Sequence, residues 1–179
     1  MLVIYGYPVN ETDWESRIAT AWESFEDYDE TEFLALIEKL AAERPAGDSV
    51  AFFERASSLD ATGHPDVAIP LYEQALAAGL PGGRRRQAVI QLASSLRLAG
   101  RAEESAALLT AEIDTPDGEH RDELNDELVA FLALTLADLG REREAVSAAL
   151  AALAPHLSRY QVSVANYARQ LVEPGESPD

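Results

Sequence analysis

Three segments of this sequence share one pattern of residue types. In each, a large apolar residue is followed four positions later by alanine, three further on by leucine and four further on by glycine. The three sets are Phe52, Ala56, Leu59 and Gly63; Val89, Ala93, Leu96 and Gly100; and Val129, Ala133, Leu136 and Gly140. Spacings of three and four residues place side chains on one face of an α-helix, and glycine is favoured where a helix ends at positive φ. The pattern therefore predicts three helices, each ending near its glycine.

A second helix is predicted after each glycine. A small residue follows the glycine by five positions, and an apolar residue stands four positions later. The small residues are Ala68, Ser105 and Ala145, and the apolar ones are Tyr72, Leu109 and Ala149. Small side chains let two helices approach closely, whereas larger ones would hold the helix axes apart. Each segment is therefore predicted to form a pair of packed helices.

These units resemble the tetratricopeptide repeat, whose signature runs aromatic, leucine, small residue, aromatic, then alanine, aromatic and proline. The first unit carries Phe52, Ala56, Leu59, Gly63, Ala68, Tyr72, Ala75 and Pro81. The second departs at Ser105 and at Glu112, where alanine is usual, and the third has Ala149 in place of the second-helix aromatic. The resemblance covers residues 49–153. Within that family, the chain is similar to a subgroup of uncharacterised bacterial proteins that have three units.

The resemblance implies an all-α fold, a right-handed superhelical stack of antiparallel helix pairs with capping helices at both ends. The predicted segments are an extended arm (1–10), an N-terminal helical pair (11–45), three repeats within 49–153 (49–80, 86–113 and 126–153), a C-terminal capping helix (155–172) and a flexible tail (173–179). Thr12 is the predicted N-cap of the first helix, and Ser158 is the predicted N-cap of the last.

The N-terminal helical pair has two interpretations. Trp14, Ile18, Trp22 and Phe25 form an apolar stripe among acidic residues. This helix either packs on the next one as a cap, or lies in the concave groove of its own chain or of a second subunit. Residues 2–5 and Tyr7 read as a strand, which either lies on the helices or pairs with its copy in a homodimer.

Composition narrows the classes of partner. The chain has no cysteine, which excludes disulfides and thiolate metal sites and makes a reducing cytoplasm the expected compartment. No apolar run approaches the length of a membrane-spanning helix. The formal charge of −18 repels phosphate backbones and anionic lipid, so neither nucleic acid nor membrane is an expected partner.

The charge is distributed unevenly along the chain. Residues 1–48 contain twelve acidic residues and three basic ones, whereas no acid occurs between Glu73 and Glu103. That acid-free stretch contains Arg97 and a predicted basic patch made of Arg84, Arg85, Arg86 and Arg101. Cations at the start of a helix oppose its dipole, so the run suggests an acidic surface nearby, which the acidic N-terminal region could supply within the chain. A solvated loop and a nucleic-acid contact are the alternatives.

In the family, the first helix of each pair lines a concave groove that holds extended peptides or helices. Mapped onto this sequence, the implied groove residues are Phe53, Ser57, Asp60, Gln87, Ile90, Ser94, Arg97, Ala130 and Leu134, with Val50, Glu127 and Ala137 beside them. The lysines and asparagines with which some members clamp a terminal carboxylate are absent from these positions. An apolar groove of this kind suits an amphipathic helix with an acidic rim. Alternatively, Phe53 and Ile90 belong to the core beneath the N-terminal helices.

Catalytic machinery is not evident in the sequence. His64, His120 and His156 are scattered, and no HExxH, GxSxG or phosphate-binding glycine loop occurs. Asp117, Glu119, His120 and Asp122 could contact a divalent cation, but their spacing is not that of a calcium-binding loop. We therefore predict a non-enzymatic scaffold without cofactor or metal that binds a protein or peptide. A self-assembling homodimer and a metal-dependent enzyme are the alternatives.

Overall fold

The computed structural model of the protein describes residues 11–115 and 124–173, and these residues are helical without any strand. The helices are α1 (Glu11–Glu23), α2 (Glu30–Ala41), α3 (Ser49–Ala61), α4 (Pro65–Ala77), α5 (Gly82–Leu98), α6 (Ala102–Ile113), α7 (Asn125–Asp138), α8 (Glu142–Leu153) and α9 (Gln161–Gln170). Short 3-10 turns occur at Phe25–Asp27 and Ala154–His156. The predicted all-α fold is confirmed. The predicted arm 1–10, the loop around His120 and the tail from 174 onward lie outside the described residues.

The chain forms two compact units, Met1–Leu80 and Pro81–Asp179. In the first unit, α1 packs on α2, α2 on α3, and α3 on α4. In the second, each helix from α5 to α9 packs on the next, and α5 also contacts α7. Packing between consecutive helices, with an added contact between the first helices of successive pairs, is the arrangement expected of stacked helix pairs.

The glycine of each repeat ends its first helix as predicted. The backbone φ is +89° at Gly63, +77° at Gly100 and +70° at Gly140, a region that L-residues with a side chain rarely adopt. After α5, the Arg101 N–H donates to the Leu96 carbonyl at 2.8 Å, and the Gly100 N–H donates to the Arg97 carbonyl at 3.0 Å. This paired pattern satisfies carbonyls that a helix end would otherwise leave unpaired. It turns the chain directly into the second helix.

The first helix packs on the second through its apolar stripe. The Trp14 Nε1–H donates to the Leu40 carbonyl at 2.8 Å, and the Phe25 and Phe33 ring centroids are 4.7 Å apart in an edge-to-face arrangement. These contacts join the start of α1 to the end of α2 and the turn after α1 to the start of α2, so the two helices are antiparallel. Trp22 lies 5.0 Å from the Phe33 ring and donates its indole N–H to the buried Glu54 carboxylate on α3.

Two of the predicted N-caps are wrong. Thr12 lies inside α1, which begins at Glu11. Ser158 lies three residues before the start of α9, and Tyr160 is the N-cap instead, with φ +65° and ψ +17°. The Gln161 side chain fixes this start, because its Nε2 donates to the carbonyls of Pro155 and Leu157 at 2.9 and 2.8 Å. Holding a tyrosine in the left-handed region costs about 1–2 kcal/mol.

The second unit encloses a small hydroxyl network where the signature usually has alanine. Ser105 is fully buried, and its Oγ donates to the Ala93 carbonyl at 2.8 Å. It also hydrogen-bonds the Thr135 hydroxyl at 3.1 Å, and Thr135 donates to the Phe131 carbonyl at 2.9 Å. A serine is small enough for the close helix contact, and its buried hydroxyl has partners. The departure from alanine at this position is therefore tolerated.

Gly100→Ala should lower the free energy of unfolding by about 1 kcal/mol, because alanine is strained at positive φ. An added Cβ at Gly100 meets no atom within 4 Å, so the loss would come from the backbone alone. Gly100→Asn is the matched control, since asparagine tolerates this conformation better and should lose less. Urea unfolding followed by circular dichroism measures both. Equal losses for alanine and asparagine would show that backbone conformation is not the cause.

Candidate functional site

The predicted groove residues of the first unit are held by their own helix pair. Phe53 and Ser57 are buried, and Asp60 is half-buried. The Phe53 ring lies 6.3 Å from the ring of Tyr72 on α4, whose hydroxyl donates to Ser57 and Asp60 at 3.5 Å. Burial raises the pKa of the Tyr72 hydroxyl, and the Asp60 charge raises it further. These side chains therefore contribute to the core of the α3–α4 pair.

The predicted groove residues of the second unit lie on two neighbouring helices, α5 and α7, and we call their common surface the α5–α7 face. It is defined by Gln87, Ile90, Ser94 and Arg97 on α5 and by Ala130, Leu134 and Ala137 on α7. Arg97 Nη1 donates to Asp138 Oδ2 at 2.7 Å, which joins the C-terminal end of α5 to the C-terminal end of α7. The structure thus brings these predicted residues together within one unit.

Exposure differs along the α5–α7 face. Leu134 is 51% exposed, and Ala130 and Ala137 are also exposed, whereas Ile90 is only 8% exposed. Gln87 is exposed, and Ser94 is half-buried. The apolar centre that is open to a partner therefore lies on α7, whereas Ile90 on α5 is nearly buried.

One exposed residue beside this face was missed by the sequence analysis. Leu98, at the end of α5, is 66% exposed and directly follows Arg97. It stands four residues after Ser94, a spacing that could have placed it near the same face. Arg97 itself is half-buried, and its Nε–H is buried without a hydrogen-bond partner among the described residues.

The predicted basic patch is largely paired with acids of α6. Arg85 Nη2 donates to Glu112 Oε2 at 2.9 Å, and the buried Arg86 Nε lies 3.8 Å from Glu112 Oε1. Arg101 forms two hydrogen bonds of 2.7 Å with Glu104. Arg84 is half-buried and also has an interaction partner. Glu112 of the same unit is thus an acidic neighbour of Arg85 and Arg86, which the sequence analysis did not predict.

The Arg101–Glu104 pair recurs one repeat later. Arg141 donates to Glu144 at 2.9 and 2.7 Å, again from the residue before the second helix to a residue in its first turn. Each arginine lowers the pKa of its glutamate through these hydrogen bonds. Both pairs are exposed to solvent, where such interactions add little stability.

The described histidines form isolated pairs with carboxylates. His64 Nε2 lies 2.7 Å from Glu30 Oε1, and His156 Nε2 lies 2.8 Å from Asp126 Oδ2. Within residues 11–115 and 124–173, no group of three or more histidine, aspartate or glutamate side chains is arranged to hold a metal ion. The same residues include no helix that is both long and apolar enough to cross a bilayer. His120 and the acids around it lie outside the described residues.

Comparison with known proteins identifies the family. Residues 49–171 match the model of the tetratrico peptide repeat (TPR) family. The chain belongs to the TPR family. Its fold is similar to that of the nearly identical TPR-like repeats assigned to a kinesin light chain of Podospora anserina, with a TM-score of 0.64 and 20% identity over 89% of this chain and 86% of that one. No curated protein matches the sequence.

Membership of the TPR family suggests a protein–protein interaction scaffold, because TPR domains generally bind protein partners and are typically not enzymes. The match extends past the three predicted repeats and includes α9. The fold class and the resemblance predicted from the sequence are both confirmed.

Glu112→Ala restores the residue that TPR units usually carry, yet it should destabilise this protein. Glu112 is 6% exposed and neutralises Arg85 and the buried Arg86, so its removal should lower the free energy of unfolding by about 2 kcal/mol. Thermal unfolding measures the loss. Glu104→Ala on the same helix is the control, because its ion pair is exposed to solvent and its loss should leave the stability nearly unchanged. Equal effects of the two variants would contradict a special role for Glu112.

Proposed function

We propose that this TPR protein is a non-enzymatic scaffold that binds a peptide or an amphipathic helix of a partner protein on the α5–α7 face. The observation that carries the proposal is the exposed apolar strip on α7, formed by Ala130, Leu134 and Ala137 beside the first helix of the preceding pair. The first helices of TPR pairs are the ones that line the binding groove in the family. A reducing cytoplasm fits a chain without cysteine.

The exposed strip can supply binding energy. Leu134 is 51% exposed, and covering an aliphatic side chain of this size contributes about 1–2 kcal/mol to binding. Its alanine neighbours are small, so an incoming helix can approach the backbone of α7 closely. A partner helix whose apolar residues are spaced by three and four positions would match the exposed strip on α7.

The polar edge of the face favours a partner with an acidic or carbonyl group. Arg97 donates from Nη1 to Asp138 at 2.7 Å, and 22% of its side chain remains exposed at this edge. Gln87, near the other end of α5, is exposed and offers both a donor and an acceptor. An amphipathic helix whose apolar stripe is flanked by a carboxylate would cover the apolar strip and place a negative charge near Arg97.

The self-assembly alternative loses one of its two supports. That alternative assumes that the apolar stripe of the first helix binds in a groove of the same chain or of another chain. In the structure Trp14 is fully buried and bonded to Leu40 on α2, so this stripe already has a partner within its own unit. The other support, the arm of residues 1–10, lies outside the described residues.

Leu134→Asp should abolish peptide capture without unfolding the protein. The protein is used to select peptides from a displayed library of random amphipathic helices, and the dissociation constants of the selected peptides are then measured. We expect Leu134→Asp to weaken binding at least about tenfold, the equivalent of about 1.4 kcal/mol. Because Leu134 is half exposed, the helical circular dichroism spectrum should be preserved.

Leu153→Asp is the matched control for this experiment. Leu153 is the last residue of α8 and is 49% exposed, close to the 51% of Leu134, but it lies on the second helix of the same pair. Its substitution should leave peptide binding within about twofold. If the two variants weaken binding equally, or if the selected peptides bind Leu134→Asp as well as the unchanged protein, the α5–α7 face is not the binding site.

A further inference from the structure

The second helix of the last repeat, α8, carries an exposed apolar stripe. Val146 and Leu153 are each 49% exposed, and Ala149 between them is also exposed. Glu142, at the start of the same helix, is exposed as well. At about 100° per residue, these four side chains lie within about 60° of one another around the helix axis. They therefore share one face of α8, which we call the α8 stripe.

The equivalent positions of the preceding repeat are covered. When the two repeats are aligned on their glycines, the apolar part of the α8 stripe corresponds to three residues of α6: Ala106, Leu109 and Ile113. Leu109 has no exposed surface, Ala106 is 6% exposed and Ile113 is half-buried. The first helix of the next repeat, α7, packs on α6, and a hydrogen bond between Ser105 and Thr135 joins the two helices. The α8 stripe is therefore the surface on which the first helix of a further repeat would pack.

The helix that follows, α9, packs on another side of α8. Ser147 Oγ on α8 donates to the Ala168 carbonyl at 2.7 Å, and Arg143 Nε donates to the Leu171 carbonyl at 2.9 Å. Arg143 and Ser147 lie about 90–130° around the helix from the centre of the α8 stripe. The position that α7 takes against α6 is thus not taken by α9 against α8, and the α8 stripe stays accessible among the described residues.

The side of α7 that packs on α6 indicates what kind of helix fits the α8 stripe. Leu128 has no exposed surface, Phe131 is half-buried and Thr135 is 1% exposed. These positions are spaced by three and four residues, so they lie on one side of α7, and the bond from Thr135 to Ser105 identifies it as the side facing α6. An amphipathic helix with apolar residues at this spacing would therefore fit the α8 stripe.

The charge at the α8 stripe favours a basic partner. Glu142 makes no hydrogen bond or ion pair within the part of the chain that the structure describes, whereas Glu144 on the same helix is paired with Arg141. The neighbouring Arg143 uses its Nε to hold the Leu171 carbonyl. The whole chain has a formal charge of −18, so a basic segment would be attracted to it from a distance.

We propose that the α8 stripe docks an amphipathic helix of another protein, one that has basic residues beside its apolar side. The helix packs on Val146, Ala149 and Leu153 as α7 packs on α6, and it places a basic residue near Glu142. This surface is separate from the α5–α7 face, which is formed by the first helices of the pairs. A second copy is disfavoured as the occupant, because two chains of charge −18 repel each other.

The test uses two peptides that copy α7, Asn125–Asp138. One peptide keeps the sequence of this chain, and the other carries Asp126→Lys, Glu127→Lys and Asp138→Lys. Binding of each peptide to the full chain is followed by fluorescence anisotropy and by ¹H–¹⁵N NMR shifts. We expect the lysine peptide to bind at least about tenfold more tightly than the acidic one, with affinity falling as salt rises. The largest shifts should fall on α8.

Variants separate the α8 stripe from other surfaces. Val146→Arg should weaken the lysine peptide at least about tenfold, because it removes an apolar contact and adds a repulsive charge. Val67→Arg is the matched control, since Val67 is also 49% exposed but lies on α4, and binding should stay within about twofold. Leu134→Asp should likewise leave this peptide within about twofold, and peptides selected on the α5–α7 face should tolerate Val146→Arg. Failure of one proposal is thus distinguishable from failure of the other.

Four results would overturn the proposal. Equal affinity for the two peptides would remove the charge argument, and equal losses from Val146→Arg and Val67→Arg would assign the binding to another surface. A dimeric mass by light scattering that becomes monomeric in Val146→Arg would show that a second copy occupies the α8 stripe. Without peptide, a larger fall in the midpoint of thermal unfolding for Val146→Arg than for Val67→Arg would show that the chain itself already covers the stripe.

Discussion

Fully buried alanines keep the paired helices of this protein close together. Ala56 and Ala68 on α3 and α4 have no exposed surface, and neither has Ala93 on α5. With the helix axes this close, the two helices of each repeat can be joined by a turn of three residues, and glycine supplies the positive φ that such a turn requires. Because only small side chains fit between the paired helices, the large side chains lie on the other faces of each helix. Some of those faces are exposed to solvent.

The same close packing determines where polar groups are tolerated in the second unit. Ser105 and Thr135 are both buried, and each hydroxyl has a backbone carbonyl as its acceptor: Ser105 donates to Ala93 on α5, and Thr135 donates to Phe131 on its own helix. Glu112 is larger and charged, and it is accommodated because Arg85 and Arg86 on α5 approach it from the neighbouring helix. Both departures from the repeat signature are therefore local solutions to burying a polar group, since a buried polar atom without a partner is destabilising.

The helix pairs and their turns could be predicted from the sequence because both depend on residues close together in the chain. The φ values at Gly63, Gly100 and Gly140 follow from local sterics alone. The start of α9 could not be predicted in this way, because the Gln161 side chain reaches back to Pro155 and overrides the capping preference of Ser158. The ion pair of Glu112 could not be predicted from the sequence either, since its partner Arg85 is 27 residues away in the chain.

The candidate site shows a further limit of sequence reasoning. Ile90 and Ala130 occupy equivalent repeat positions, yet Ile90 is nearly buried and Ala130 is exposed. Repeat position fixes the direction of a side chain on its helix, but the neighbouring helices decide how much of it remains accessible.

For the same reason, the arginines that looked like one basic patch differ in their availability. Arg85 and Arg101 are neutralised by glutamates, whereas Arg159, outside that patch, makes no ion pair within the described residues. Electrostatic recognition by an acidic protein therefore depends on which of its few cations lack a carboxylate neighbour, and this is a property of the fold, not of the composition.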